Sequence, residues 1–403
     1  MRKRFLSLAM ILVLPFCVAA CGNYTLSDSE SCPTARKGMN SRIPGGYNIA
    51  DENAPPQTVE EDPFAGTQED GDLGFLSHGE ASPARADDQS VLPYEYHGGE
   101  FVLDYQFSSE GKLDSIGFLL FLDGKPQAYK VNLHAPGSEC AAAHESLAGE
   151  FGIPEYMPPS ASDFQSNDTG AEYEYLHCFR TSEKHEEKFS FVFTPDTGKK
   201  GDTLNMTIVS VTRPDFQPDM KETSSYGWYH QSFERVLKLH FNEDAPENDS
   251  INGESITAFR DVSISEEKIT SSFIENDLVR AGWNGVTMDT LDSSVYWTLA
   301  YDGQVVYDNI NLTGKDTLTV RYTLCGTPGA RYGISFFLNH KPISFEGAVS
   351  CDVTLSKGNV WIMEATIDTA KLDGFHTFYA TAVAADGNSV TSKTGSILLF
   401  KED

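Results

Sequence analysis

Gly117-Phe118-Leu119-Leu120-Phe121-Leu122-Asp123-Gly124-Lys125-Pro126 returns later in the chain as Gly333-Ile334-Ser335-Phe336-Phe337-Leu338-Asn339-His340-Lys341-Pro342. Five of the ten positions are identical. Context strengthens the match. Each copy is an apolar run broken by a short polar turn and Lys-Pro, and each follows an alternating strand and a glycine-containing loop. Tyr105 in the first preceding strand has its counterpart in Tyr322. Short apolar runs bounded by turn residues read as strands, and a repeat of such a run reads as a repeated domain.

The surrounding sequence agrees. Phe101 to Phe107, Phe189 to Phe193 and Leu204 to Ile208 alternate and are rich in aromatic or β-branched residues. They place a first all-β unit over residues 93–214, with one short helix at Cys140 to Phe151, where Ala, Leu and Glu dominate and Gly152 and Pro154 end it. Residues 215–225 read as a linker. A second unit spans 226–403, with Val236 to Phe241 as an early strand. Asp302-Gly303 and Asp386-Gly387 are its hairpin turns, since Asp-Gly suits a type I′ turn. Residues 243–292 are less regular and read as an insertion or a small third unit. The pair resembles the Ig-like modules of bacterial surface proteins, which implies a mainly β fold of tandem antiparallel Ig-like sandwiches.

The N-terminus carries a different signal. Arg2, Lys3 and Arg4 precede an apolar run from Phe5 to Phe16, and Val18-Ala19-Ala20-Cys21-Gly22 follows. This is the form of a secretory signal peptide over residues 1–20. The run is shorter than the roughly 20 apolar residues of a membrane span, and Pro15 interrupts it. Its end resembles the lipobox of bacterial lipoproteins. That resemblance implies lipidation of Cys21, anchoring on the extracytoplasmic face of a bacterial cell membrane. Residues 21–92 are rich in Gly, Pro, Ser, Asp and Glu and read as a disordered acidic tether, too poor in apolar surface to offset ordering entropy. A chain of roughly 70 residues reaches about 40–50 Å.

The chain has 30 basic and 59 acidic residues, a formal charge of −29. Loss of Arg2, Lys3 and Arg4 with the signal would leave 27 basic residues and a charge of −32. Such a surface repels nucleic acid, so no nucleic-acid partner is expected. The acidic segment Asn242-Glu243-Asp244 with Glu247, Asn248 and Asp249 lacks the ordered spacing of a calcium loop, and no metal or other cofactor is expected. Export permits disulfides, and Cys140 with Cys178 and Cys325 with Cys351 are the local pairs; the alternative is free thiols packed as small apolar residues.

No catalytic pattern stands out. His144-Glu145 and His185-Glu186 lack the second histidine of a zinc-protease helix, and neither a Gly-x-Ser-x-Gly elbow nor a phosphate loop is present. Carboxylate pairs that meet only in the fold leave a β-rich surface hydrolase as an alternative. Aromatic side chains give the remaining hint of binding. Trp228 and Tyr229 lie between the two units, and Trp283 lies in a Gly-Trp-Asn-Gly turn. These three are candidate ligand contacts, against the reading that they seal a junction and a loop onto the core. The expected function is contact with a protein, peptide or glycan through the Ig-like units, with an adhesion or spacer role as a further alternative.

Overall fold

The computed structural model describes residues 75–133, 172–215, 230–246 and 258–401, apart from 82, 84, 86–90, 112, 307–308, 346 and 388. The first sandwich holds β1 (Phe75–Glu80), β2 (Tyr94–Tyr96), β3 (Phe101–Glu110), β4 (Ser115–Leu122), β5 (Lys125–Gln127), β6 (Lys130–Leu133), β7 (Leu176–Arg180), β8 (Lys184–Phe193), β9 (Thr203–Thr212) and β10 (Ser232–Phe241). One sheet runs β1-β3-β8-β6 and the other β2-β10-β9-β4-β5, with β7 also paired to β4. The second sandwich holds β11 (Phe259–Lys268), β12 (Val295–Tyr301), β13 (Gln304–Val305), β14 (Asn309–Asn311), β15 (Thr317–Gly326), β16 (Arg331–Leu338), β17 (Lys341–Pro342), β18 (Cys351–Thr354), β19 (Asn359–Asp368), β20 (Phe375–Ala384), β21 (Ser392–Lys393) and β22 (Ile397–Phe400). Its sheets run β11-β19-β15-β12-β13 and β14-β22-β20-β16-β17, with β18 on β16 and β21 on β20. The fold is mainly β and Ig-like.

The repeat holds in three dimensions. β4 lies between β9 and β5 as β16 lies between β20 and β17. β2 runs parallel to β10, and β14 runs parallel to β22. The two turns match as well: Asp123 and Gly124 have φ of 48° and 86°, and Asn339 and His340 have 51° and 63°. Positive φ at both central residues is the type I′ geometry that suits the twist of a hairpin. One edge differs. β6 follows β5 in the chain and pairs with β8, whereas β11 precedes its whole sandwich and pairs with β19.

Strand patterns report the layers. β3 alternates buried and exposed residues, as expected of a strand facing water on one side. β4 is buried at every position, and β16 at all but its first. Their outward faces meet. Leu119, Phe121, Val209 and Val211 of the first sandwich form one apolar cluster with Phe337, Tyr379 and Val383 of the second. The continuous apolar runs of the repeat are therefore strands covered on both faces, and the two sandwiches stack in four layers.

Three boundaries shift from the sequence expectation. β10, expected to open the second unit, pairs with β9 and β2 of the first. Leu237, Leu239 and Phe241 complete that first core, which explains why the chain returns after the segment between β9 and β10. β1 lies inside the stretch read as tether, where His78 and Glu80 pair in register with Phe107 and Tyr105. The supposed insertion contains β11 and a helical turn, Ser271–Phe273, running into a π-helical stretch, Ile274–Val279. Ile274 and Leu278 cover Tyr296, Cys325 and Ile362 on the outer face of the sheet. The helix expected at 140–151 lies outside the described residues.

A fragment beginning at Pro93 should unfold at lower urea than one beginning at Asp70, because loss of β1 removes Glu80 from Arg235 and uncovers Tyr105. Equal midpoints would deny β1 a place in the folded sandwich.

Candidate functional site: the junction between the sandwiches

The junction has an apolar centre, a charged rim and a polar clasp. At the centre Phe121 and Phe337, equivalent residues of the repeat, meet edge to face with centroids 6.2 Å apart. Phe337 stacks on Tyr379 at 5.0 Å. Glycine permits this approach: a Cβ on Gly333 would overlap the carbonyl of Gly124, and one on Gly124 would meet the backbone of Gly333. At the rim Lys125 pairs with Asp352 at 3.6 Å, Arg331 with Asp123 at 3.6 Å and Lys341 with Glu174 at 3.5 Å. Each pair joins one sandwich to the other, and exposed pairs of this kind contribute about 0–1 kcal/mol. The Asn205 side-chain amide adds a hydrogen bond to the Ala385 carbonyl at 2.7 Å.

The clasp is built from His340, His230, Lys393, Ser396 and Tyr379. His340 Nε2 donates to the Pro214 carbonyl at 2.7 Å. A carbonyl only accepts, so the neutral ring carries its proton on Nε2, and Nδ1 accepts from the Tyr379 hydroxyl at 3.1 Å. Lys393 Nζ donates to Ser396 Oγ at 3.0 Å, to the Thr394 carbonyl at 3.1 Å and to the His230 carbonyl at 3.4 Å. It also lies 4.3 Å above the Tyr379 ring. Burial pushes this amine down to about 7, while three oxygen acceptors and an aromatic face are the surroundings of an ammonium. With the ring N–H of His230 directed at the Arg213 backbone, Ser396 Oγ donates a hydrogen bond to His230 Nδ1 at 2.9 Å. Burial holds His340 at about 4 and His230 well below its usual value, so both rings are neutral in the folded protein.

A serine beside an amine and an imidazole has the elements of a nucleophile and its bases. Here Ser396 is 0% exposed and every partner is spent on the clasp. No substrate carbonyl can reach its oxygen, so the arrangement holds elements in place.

A second polar group closes one end of the first sandwich. Glu80, buried, takes a two-pronged hydrogen bond from Arg235 at 2.8 and 2.9 Å. Burial pushes the Glu80 carboxyl up, but the Arg235 hydrogen bonds and charge outweigh it and hold it below its usual value. His78 Nδ1 meets the Tyr105 hydroxyl at 2.7 Å one residue pair away.

The residues singled out in the sequence fare differently. Trp283 is half-buried: its indole N–H donates to the Trp297 carbonyl at 2.6 Å, and its ring meets Tyr296 and Trp297 edge-on. It seals its loop onto the core and offers no open platform. Trp228, Tyr229, Cys21 and Cys140 lie outside the described residues. Cys178 and Cys325 are free thiols. The expected Cys325–Cys351 bridge is not formed, because Cys325 faces the outer side of its sheet while Cys351 packs against the inner core. Cys325 lies under Leu278 on an outer face, and Cys351 packs at the inner core with its Sγ toward the Asp352 carbonyl. Asn242 donates to Glu95 and Asp244 accepts from the Lys200 amide, so these two members of the acidic segment already have partners. Among the described residues no cluster of His, Cys, Asp or Glu is arranged to hold a metal ion. His230, His340 and Lys393 were not foreseen. The one available signal was the turn of the repeat, where His340 stands in place of Gly124.

No family model and no curated protein matches the chain. Solved structures resembling it include a Corynebacterium diphtheriae protein provisionally described as membrane anchored, at 8% identity and a TM-score of 0.18. That match covers 82% of this chain and 59% of the other, so this chain spans under two thirds of its length. The CsuC–CsuE chaperone–tip adhesion subunit complex of Acinetobacter baumannii matches at 11% identity and a TM-score of 0.16, over 77% and 95% of the two chains. The Salmonella enterica SafA pilin with its SafB chaperone matches at 11% and 0.18, over 79% and 95%. Scores this low carry no functional weight.

Gly333→Ala should cost about 1–3 kcal/mol, since its methyl group meets backbone that cannot rotate away. Urea unfolding measures this, and an unchanged midpoint would mean the Gly124 turn does not press on β16.

Proposed function

We propose that this chain is a lipid-anchored, extracytoplasmic interaction protein. Cys21 carries the anchor, the following segment spaces the folded part from the bilayer, and the Ig-like sandwiches contact a protein, peptide or glycan. The observation that carries the reading is the stacked pair. A β scaffold joined over an apolar face suits the display of loops for recognition. The signal segment and Val18-Ala19-Ala20-Cys21 support the location. Among the described residues no helix is long and apolar enough to cross a membrane, which is compatible with anchoring through lipid. The charge of −29 disfavours nucleic acid as the partner.

Cys21→Ala should move the protein from the membrane fraction to the soluble fraction. Retention on membranes after detergent-free washing would remove the anchor. The released protein, applied to glycan and peptide arrays, should bind a defined subset; silence on both arrays would favour the spacer role over recognition.

A further inference from the structure

The bonding pattern of the clasp depends on a neutral imidazole from each sandwich. His340 belongs to the second sandwich and grips Pro214 of the first. His230 belongs to the first and takes a hydrogen bond from Ser396 of the second. A proton added to His340 Nδ1 turns that atom into a donor facing the Tyr379 hydroxyl, which then must redirect its own hydrogen beside the Lys393 ammonium. A proton added to His230 Nδ1 sets it against Ser396 Oγ, which already accepts from Lys393. Both contacts then persist only if each hydroxyl turns to accept from the ring and points its own hydrogen elsewhere in a buried site that already holds the Lys393 amine.

We propose that the junction is an acid-sensitive clasp, in which protonation of His230 and His340 uncouples the two sandwiches while each keeps its own fold, and uncovers the apolar faces around Phe121 and Phe337.

The surrounding charges favour this. His340 faces the Tyr379 hydroxyl, the Lys393 ammonium, the His230 ring at 5.7 Å and the carboxylate of Asp215. Asp215 is already engaged by Arg180 at 2.8 Å and by the Ser115 hydroxyl, which limits its use as a counter-ion. His230 faces Ser396, Lys393, His340 and the backbone of Arg213. The Arg213 guanidinium points to Asp114 at 3.4 Å. Lys393 sits among oxygens and the Tyr379 ring. A charged imidazole in this setting adds a second or third positive charge to a buried site.

The sign follows from the neutral state. An open junction returns the histidines to their usual value of 6.5, whereas the closed one holds His340 at about 4 and His230 lower than usual. The open form therefore binds more protons below pH 6.5, and the contribution of the clasp, complete above 6.5, is lost as pH falls toward 4. Between pH 8 and 5 His340 alone should shift the open-to-closed ratio by about 30-fold.

Scanning calorimetry of the purified full chain tests this. One cooperative transition is expected at pH 8 and two at pH 5, reversibly, because coupled domains unfold together and uncoupled ones separately. The paired variant His340→Asn with His230→Gln cannot take up these protons, and asparagine tolerates the positive φ of the turn. Its transition pattern should be the same at both pH values. A single wild-type transition at both pH values, two at both, or an acid-induced split retained in the variant would each overturn the proposal. Should the variant not fold, small-angle scattering of the wild-type chain decides. A radius of gyration larger by a few ångströms at pH 5, with unchanged far-UV circular dichroism, supports uncoupling, and an unchanged radius refutes it.

Discussion

The contact of Phe121 with Phe337 is what the remaining organisation depends on. It requires two sheets that are apolar on both faces, so β4 and β16, like β9 and β20 beside them, are buried along continuous runs, whereas β3 in the opposite sheet of the first sandwich alternates. It also requires the β4–β5 turn to pass β16 at backbone distance, which Gly124 and Gly333 permit. Because Phe121 and Phe337 are equivalent in the repeat, the two sandwiches meet through the same face of each. The internal repeat thus builds an interface of the self-complementary kind found in two-fold dimers.

Around that apolar centre the two copies have diverged. The Asp123-Gly124 turn supplies close approach and a rim charge, whereas the Asn339-His340 turn supplies a hydrogen bond across the junction. Val211 and Val383, opposite Gly117 and Gly333 in register, remain apolar in both. Thr207 and Tyr379, opposite Phe121 and Phe337, do not match, and Tyr379 is the residue that joins stacking, cation contact and hydrogen bonding. The apolar centre supplies the association free energy. The polar clasp adds dependence on protonation, since its buried groups must keep all their partners.

Strand type, the repeat and the hairpin turns were legible because they are local: alternation, apolar runs and Asp-Gly pairs act over a few residues. Domain boundaries were not. β10 looks like any half-buried strand, and only the unfilled edge beside β9 says which sandwich it completes. β1 hides in a stretch whose mean composition is polar, because six residues with Leu76 and His78 inward suffice to add an edge strand. Trp283 was visible as an aromatic in a turn, but its role depended on the Trp297 carbonyl waiting beneath it.

By itself the sequence determined a mainly β chain with a repeated unit and a strongly acidic composition. Those properties follow from residue type and short-range spacing. The tertiary structure alone decided that the repeats stack face to face, that β1 and β10 belong to the first sandwich, that Cys325 and Cys351 stay apart, and that His230, His340 and Lys393 converge. These residues lie far apart in the chain and on different elements. Their meeting is set by which apolar faces bury each other, a choice that no local pattern encodes.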